Sequence, residues 1–253
     1  MKKKLIILTG PTAVGKTDLS IRLARTVGGE IISADSMQVY RRMDIGTAKI
    51  RPEEMDGVRH HLIDILEPTE SFNAFLFKEY ALKAANEIWE RGSIPIIVGG
   101  TGFYIQTLLY DIEFAKSDEN DGIRDELNKL YEEHGAAFLH DMLAKVDPEY
   151  AAEVHENNVK KVIRAIEFYR QTGHKLSEHN TEQRERTSPY NFEYFVLSDD
   201  RTVLYERIDK RIDKMVEAGL IAEVQALLDE GVDRESVAMQ GLGYKEIASY
   251  LAG

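Results

Sequence analysis

The chain has 253 residues, 43% of them hydrophobic and 30% charged, and no cysteine. That balance suffices for one principal core with an elaboration; it excludes disulfides and thiolate metal sites and agrees with a reducing compartment. A formal net charge of −12 argues against a nucleic-acid partner, but 14 acids against 4 bases lie between Asp111 and Asn158, so the acidity is confined to one segment and the remainder is close to neutral.

The first residues, "MKKKLIILTG", pair a basic flank with only four strongly apolar residues, Leu5 to Leu8, before Gly10. That is shorter than the roughly 7 to 15 of a secretory core, and no run approaches the ~18 that cross a bilayer. A cytoplasmic, monomeric protein with no membrane partner is expected. The apolar run reads as a strand, followed by "GPTAVGKT", which matches G-x-x-x-x-G-K-[ST] at every fixed position: Gly10, Pro11, Thr12, Ala13, Val14, Gly15, Lys16 and Thr17. Between a strand and a helix starting near Lys16, such a loop offers backbone amides, the Lys16 ammonium and a Thr17 hydroxyl able to ligate magnesium. Whose phosphate it holds is left open.

A second strand, in "EIISAD", ends at Asp35, whose carboxylate should emerge on the same rim of the sheet as the phosphate loop. It is either a base or a carboxylate behind a bound magnesium. Next, Met37 to Arg51 carries Arg41, Arg42, Lys49 and Arg51 against Asp44, a local +3 that could grip a polyanion. "VRHHLIDIL" reads as a third strand. Its His60 and His61 would face opposite ways with no cysteine to complete a metal set, so they have structural or hydrogen-bonding roles.

A long helix follows through "FNAFLFKEYALKAANEIWERG", with Phe72, Phe75, Leu76, Tyr80, Leu82 and Ile88 at roughly helical spacing and Gly92 as its stop. The strand in "IPIIVGGTGFY" then ends in Gly99-Gly100-Thr101-Gly102, where a nucleotide-magnesium site would show an acid. The glycines admit close approach of a large ligand, Thr101 offers a hydroxyl, and Phe103 and Tyr104 could line the site. No Asn-Lys-x-Asp guanine reader occurs: the only Asn-Lys pair, Asn128-Lys129, runs into Leu130-Tyr131. That argues against a switch GTPase, whereas a small-molecule kinase needs only the loop, magnesium and a base and stays open.

From Asp111 acidic helical segments succeed one another up to "NFEYFVLS", residues 191–198. Within them Val159 to Lys175 forms a second basic island of +4. Strands separated by helices predict an α/β fold, a phosphate-loop NTPase-like open parallel sheet with helices on both faces, plus a helical insertion domain. The expected core domain is 1–110 with 190–253, and the insertion 111–189. After the last strand, Val203, Ile208, Ile212 and Met215 make the apolar stripe of a docking helix.

In order, "GPTAVGKT", "SADSMQVYRRMDIGTAK", "HHLID", "VGGTGFY", "VIRAIEFYRQTG", "LYERIDKRIDKM" and "QGLGYKE" resemble the blocks of the tRNA dimethylallyltransferases, from Leu5 to Glu246. The resemblance implies that the loop grips the diphosphate of dimethylallyl diphosphate, with Mg2+ at Thr17, and that the acceptor is the exocyclic amine of the adenine 3′ of the anticodon. It implies catalytic roles for Asp35, Thr101 and Arg124, and a tRNA anticodon stem-loop as partner. The stem-loop would be met by Asp35, Ser36, Met37 and Gln38, by Thr101 and Arg124, by Lys160, Lys161, Val162, Ile163 and Arg164, and by Gln240, Gly241, Leu242, Gly243, Tyr244 and Lys245. Members of that family usually continue past the last block into a basic stretch with a Trp; here the last residue is Gly253 and the single Trp is Trp89.

Overall fold

Five apolar runs become strands: β1 (Lys4–Thr9), β2 (Gly29–Ser33), β3 (His60–His61), β4 (Ile94–Gly99) and β5 (Asn191–Val196). In the computed structural model, which describes residues 2–114 and 122–253, they form one sheet in the order β3-β2-β4-β1-β5 with every neighbouring pair parallel. Ile7, Ile32, Ile96 and Ile97 on the three central strands are at most 1% exposed, as parallel strands covered on both faces require.

The chain divides into two units, Met1–Asp111 with Ser188–Gly253, and Ile112–Thr187. In the first, α1 (Lys16–Val27) packs Ile21 and Ala24 on Ile6, Ile31, Ile96 and Val98. The intervening residues Ile32 and Ile97 point to the opposite face by strand alternation. α2 (Ala74–Glu90) packs on β2 and β4 and is followed, after β4, by α3 (Gly102–Leu109). The inward face of α2 is Ala74, Phe77, Ala81, Ala84, Ala85 and Ile88, and Phe75 is left 46% exposed. The large residues suggested a different stripe; small alanines win the inward positions because they let the helix backbone approach its neighbours closely.

β3 is shorter than its sequence suggested. Leu62 and Asp64 take φ of 63° and 54°, in the left-handed region that an extended run cannot contain.

The second unit is helical: α4 (Ile123–Val146), α5 (Pro148–Glu153), α6 (Val159–Thr172) and α7 (Leu176–Glu185). Gly135, at φ 83° and ψ 178°, kinks α4 where the sequence reads as two helices. Leu127, Leu139, Leu143, Val162, Ile166 and Leu176 form its core. α7, polar after Leu176, had no repeating apolar pattern to announce it.

The first unit closes with α8 (Arg201–Glu217), α9 (Leu220–Asp229) and α10 (Tyr244–Ala252). Of the docking stripe read on α8, Val203 and Ile212 are exposed, at 36% and 50%. The inward face is Leu204, Ile208, Arg211 and Met215, a 4-3-4 spacing that rotates the helix and turns an arginine inward. Among the described residues no helix is long and apolar enough to cross a membrane.

Candidate active site

Three neighbouring parallel strands, β2, β4 and β1, end on one rim, and each continues into a segment that bears chemistry. β1 runs into the loop Gly10–Thr17, in which Ala13 and Gly15 have φ of 64° and 91°; such left-handed residues turn successive amides toward one point, a concavity suited to an anion. Pro11, Thr12, Gly15 and Thr17 are exposed. The Lys16 ammonium reaches back over the loop to the carbonyls of Gly10 at 2.9 Å and Pro11 at 2.7 Å.

β2 continues through Ala34 to Asp35. One oxygen of the Asp35 carboxylate accepts from the amides of Met37 at 2.9 Å and Gln38 at 3.3 Å, which fixes the side chain on the turn that leaves the sheet. β4 ends in Gly99, whose place is fixed by its neighbour strand: a Cβ there would lie 2.3 Å from the Ala34 carbonyl oxygen. Gly99 thus admits backbone and no ligand, contrary to the sequence reading. Gly100 has nothing closer than the Gly10 oxygen at 3.9 Å, so it is the open one. Thr101 stands at the N-terminus of α3, half-exposed, its amide bonded to the Ala34 carbonyl at 3.3 Å.

The Tyr104 hydroxyl stands within electrostatic reach of this rim: burial first, and the Asp35 carboxylate second, push it above the usual range. The Tyr104 ring is buried, stacked on Phe77 at 4.9 Å and edge-on to Phe72 at 5.6 Å, while Phe103 stays 51% exposed.

Two arginines of α8 complete the rim, and the sequence reading missed both. Arg207 donates to the Ala13 carbonyl at 3.4 Å and pairs with Asp199 at 2.9 Å. Arg211, on the inward face, makes no ion pair among the described residues. Burial pulls its guanidinium below the usual range and the Asp35 carboxylate partly restores it. Burial likewise lowers Lys16, with Asp35 acting against that and Arg211 adding to it. Two cations and one carboxylate therefore feel one another beside the phosphate loop, and a partly desolvated cation pair gains most from an added anion. A charge at the inward position of an amphipathic helix was the signal available for Arg211.

The first basic island is consumed internally. Arg41 and Arg42 pair with Glu67 at 2.9 and 2.8 Å, Arg42 also with Glu230 at 3.2 Å, and the buried Lys49 ammonium sits between Asp44 and Asp64. Of its four cations only Arg51 makes no salt bridge among the described residues, so the polyanion grip read from its charge is corrected.

In the second unit, Lys160, Lys161 and Arg164 share the exposed face of α6 without an ion pair among the described residues. Val162 and Ile163, 0% and 5% exposed, turn into the helical core, so their side chains are withdrawn from the phosphate contact expected for the whole stretch. Arg124, in the first turn of α4, pairs with the buried Glu167 carboxylate. The family resemblance, and no distance, assigns it to the reaction centre.

Of the last block, Gln240, Leu242 and Lys245 are exposed, Leu242 at 89%. Tyr244 is 1% exposed; its side chain packs inside the unit and is not available to an anticodon arm. Gly241 is buried as well, and Gly243 stands just before α10 as its N-cap, its amide donating to Glu246 at 2.7 Å.

Residues 38–253 match the protein-family model described as IPP transferase. A tRNA dimethylallyltransferase of Lachnoclostridium phytofermentans is 59% identical over 249 residues, covering 98% of this chain and 80% of that one. Among solved structures, the full-length tRNA isopentenylpyrophosphate transferase of Bacillus halodurans matches with a TM-score of 0.72 at 47% identity, over 100% of this chain and 78% of that one. A eukaryotic dimethylallyltransferase acting on tRNA matches with a TM-score of 0.88 at 34% identity, over 99% of this chain and 63% of that one.

Proposed function

We propose a function from one premise: the chain belongs to the IPP transferase family. It transfers a dimethylallyl group from dimethylallyl diphosphate to the exocyclic amine of the adenine 3′ of the tRNA anticodon and releases diphosphate. The relatives support this reading and lend nothing to the small-molecule kinase that the phosphate loop alone left open.

The observation that carries the chemistry is the shared rim, where the Asp35 carboxylate, the Lys16 ammonium and the Arg211 guanidinium interact beside a loop of anion-binding amides. The adenine amine attacks the first carbon of the dimethylallyl group. As the carbon–nitrogen bond forms, the carbon–oxygen bond to the diphosphate breaks and its electron pair leaves on that oxygen. An aromatic amine is a weak nucleophile until its proton departs, and Asp35 accepts that proton. The negative charge grows on the diphosphate, against the amides of Gly10–Thr17, Lys16 and Arg211. Lys16 is then drawn from the Gly10 and Pro11 carbonyls to the diphosphate oxygens. Thr101, bonded through its amide to the residue before Asp35, is the hydroxyl that this reading assigns to the reaction centre.

Among the described residues no cluster of three or more His, Cys, Asp or Glu could hold a metal ion. The donor set is a single Thr17 hydroxyl next to a diphosphate site, which fits magnesium held mainly by phosphate oxygens and water. When bound there it would neutralise part of the charge on the leaving group.

The adenine must be unstacked to reach the rim, at a cost of a few kcal/mol, which contacts to the anticodon arm offset. Ser36, Met37 and Gln38 receive the base, Lys160, Lys161 and Arg164 meet phosphates, and Gln240, Leu242 and Lys245 meet the arm. A cytoplasmic monomer is the form this reading expects.

The test is stoichiometry. With dimethylallyl diphosphate, magnesium and an adenine-bearing stem-loop, one diphosphate is expected per RNA modified. Phosphate release from ATP, with none from the allylic diphosphate, would overturn the reading.

A further inference from the structure

The segment from Asp35 to Ala48 leaves the sheet without regular strand or helix, although it carries the carboxylate on which the acceptor step depends. Residues 38–42 of it are tied to residues 64–67 by backbone bonds and ion pairs, whereas the backbone of residues 44–46 is held from α9 by a single carboxylate. The backbone amides of Asp44, Ile45 and Gly46 donate to Glu223 of α9 at 2.9, 2.8 and 3.1 Å, and the Tyr244 hydroxyl donates to the same carboxylate. The Tyr244 ring lies flush against Gly46, where a Cβ would come within 2.5 Å of it.

From the two residues that follow the clamp in the chain, hydrogen bonds through Gln38 lead to Asp35. The carbonyls of Thr47 and Ala48 accept from the Gln38 side-chain amide at 3.3 and 3.5 Å, its oxygen accepts from the Ser33 hydroxyl at 3.3 Å, and the Gln38 and Met37 amides donate to Asp35. On the far side, Met37 rests on Gly241 of the last block, where a Cβ would lie 2.4 Å from the methionine methyl.

We propose that Glu223 and Tyr244 are positioning residues of the acceptor step: they fix residues 44–46, and through Gln38 the turn bearing Asp35. The proposal rests on the reading of Asp35 as the base. It gives the buried Tyr244 a task that its burial denies it at an RNA surface. Three consecutive amides converging on one carboxylate need its full charge, and a neutral amide cannot replace it, because its NH2 would face an N–H donor. None of these contacts involves Gly10–Thr17, so the donor side is left intact when the clamp is weakened.

The experiment compares wild type, Glu223→Gln and Tyr244→Phe in the full chain. Amide hydrogen exchange, which needs no turnover, should accelerate across residues 37–48 in Glu223→Gln and leave Gly10–Thr17 unchanged. In steady state kcat should fall about 10- to 100-fold, the scale of a small misplacement at a reacting centre, while KM for dimethylallyl diphosphate stays within about twofold. Tyr244→Phe keeps the ring on Gly46 and should lose only a few-fold, about one hydrogen bond. Unchanged exchange in 37–48, kcat unaffected in Glu223→Gln, or KM for the diphosphate rising in step with the loss would each overturn the proposal. Wild-type protein that makes no prenylated RNA would instead refute the role of Asp35, with the exchange result still deciding whether the clamp exists.

Discussion

The rim of the sheet and the outer face of α6 both present cations, but in different electrostatic surroundings. On the rim, Lys16 and Arg211 are half-buried and coupled to one carboxylate. On α6, Lys160, Lys161 and Arg164 stand in solvent. The first arrangement suits stabilising charge that appears during a reaction, where low dielectric amplifies each contact. The second suits a long, screened attraction to a phosphate backbone. The difference teaches that position, more than count, assigns a cation to chemistry or to affinity.

Substitutions on the rim should therefore cost turnover, and the largest loss is expected at the base. Asp35→Asn should lower kcat by about 10²- to 10⁴-fold, with stem-loop binding by fluorescence anisotropy little altered. Lys16→Ala should follow at about 10²- to 10³-fold. Arg211→Gln, the residue the sequence did not announce, should raise KM for dimethylallyl diphosphate and lower kcat together in initial-rate measurements, by less than Lys16→Ala.

The α6 face should respond in affinity. Replacing Lys160, Lys161 and Arg164 together by Ala should weaken stem-loop binding and flatten the slope of log affinity against log salt by about 2 to 3, at roughly 0.7 to 0.9 per phosphate contact. A triple variant with an unaltered salt slope but reduced kcat would reverse the division between the two regions. The smallest effect is expected from Arg42→Ala in the internally paired island: a cost of at most about 1 kcal/mol, typical of a half-exposed ion pair, read as a small drop in Tm, with no change in the salt slope.

Much of this arrangement was legible from residues. The phosphate loop is local: its spacing states its own conformation, and the strand before it and helix after it follow from apolar pattern. The parallel sheet was legible because strands alternated with helices. What escaped depends on rotation and partners. α2 turned its alanines inward and α8 its Arg211, because side-chain size and packing against neighbours choose among possible helical stripes. The basic island at residues 37–51 looked like a grip on RNA, but Lys49 and Arg42 find their acids, Asp64, Glu67 and Glu230, well outside the window that gave the charge. Gly99 showed the reverse error: its freedom serves the Ala34 backbone of a neighbouring strand, a contact that only the sheet order makes visible.

The most direct test of prenyl transfer at this rim is mass spectrometry of a tRNA mixture after incubation with the protein, dimethylallyl diphosphate and magnesium. The account predicts the gain of one five-carbon unit on the adenosine 3′ of the anticodon, lost when Asp35 is replaced by Asn. Adenosines that stay unmodified with the wild-type protein, or a gain that persists undiminished in Asp35→Asn, would contradict it.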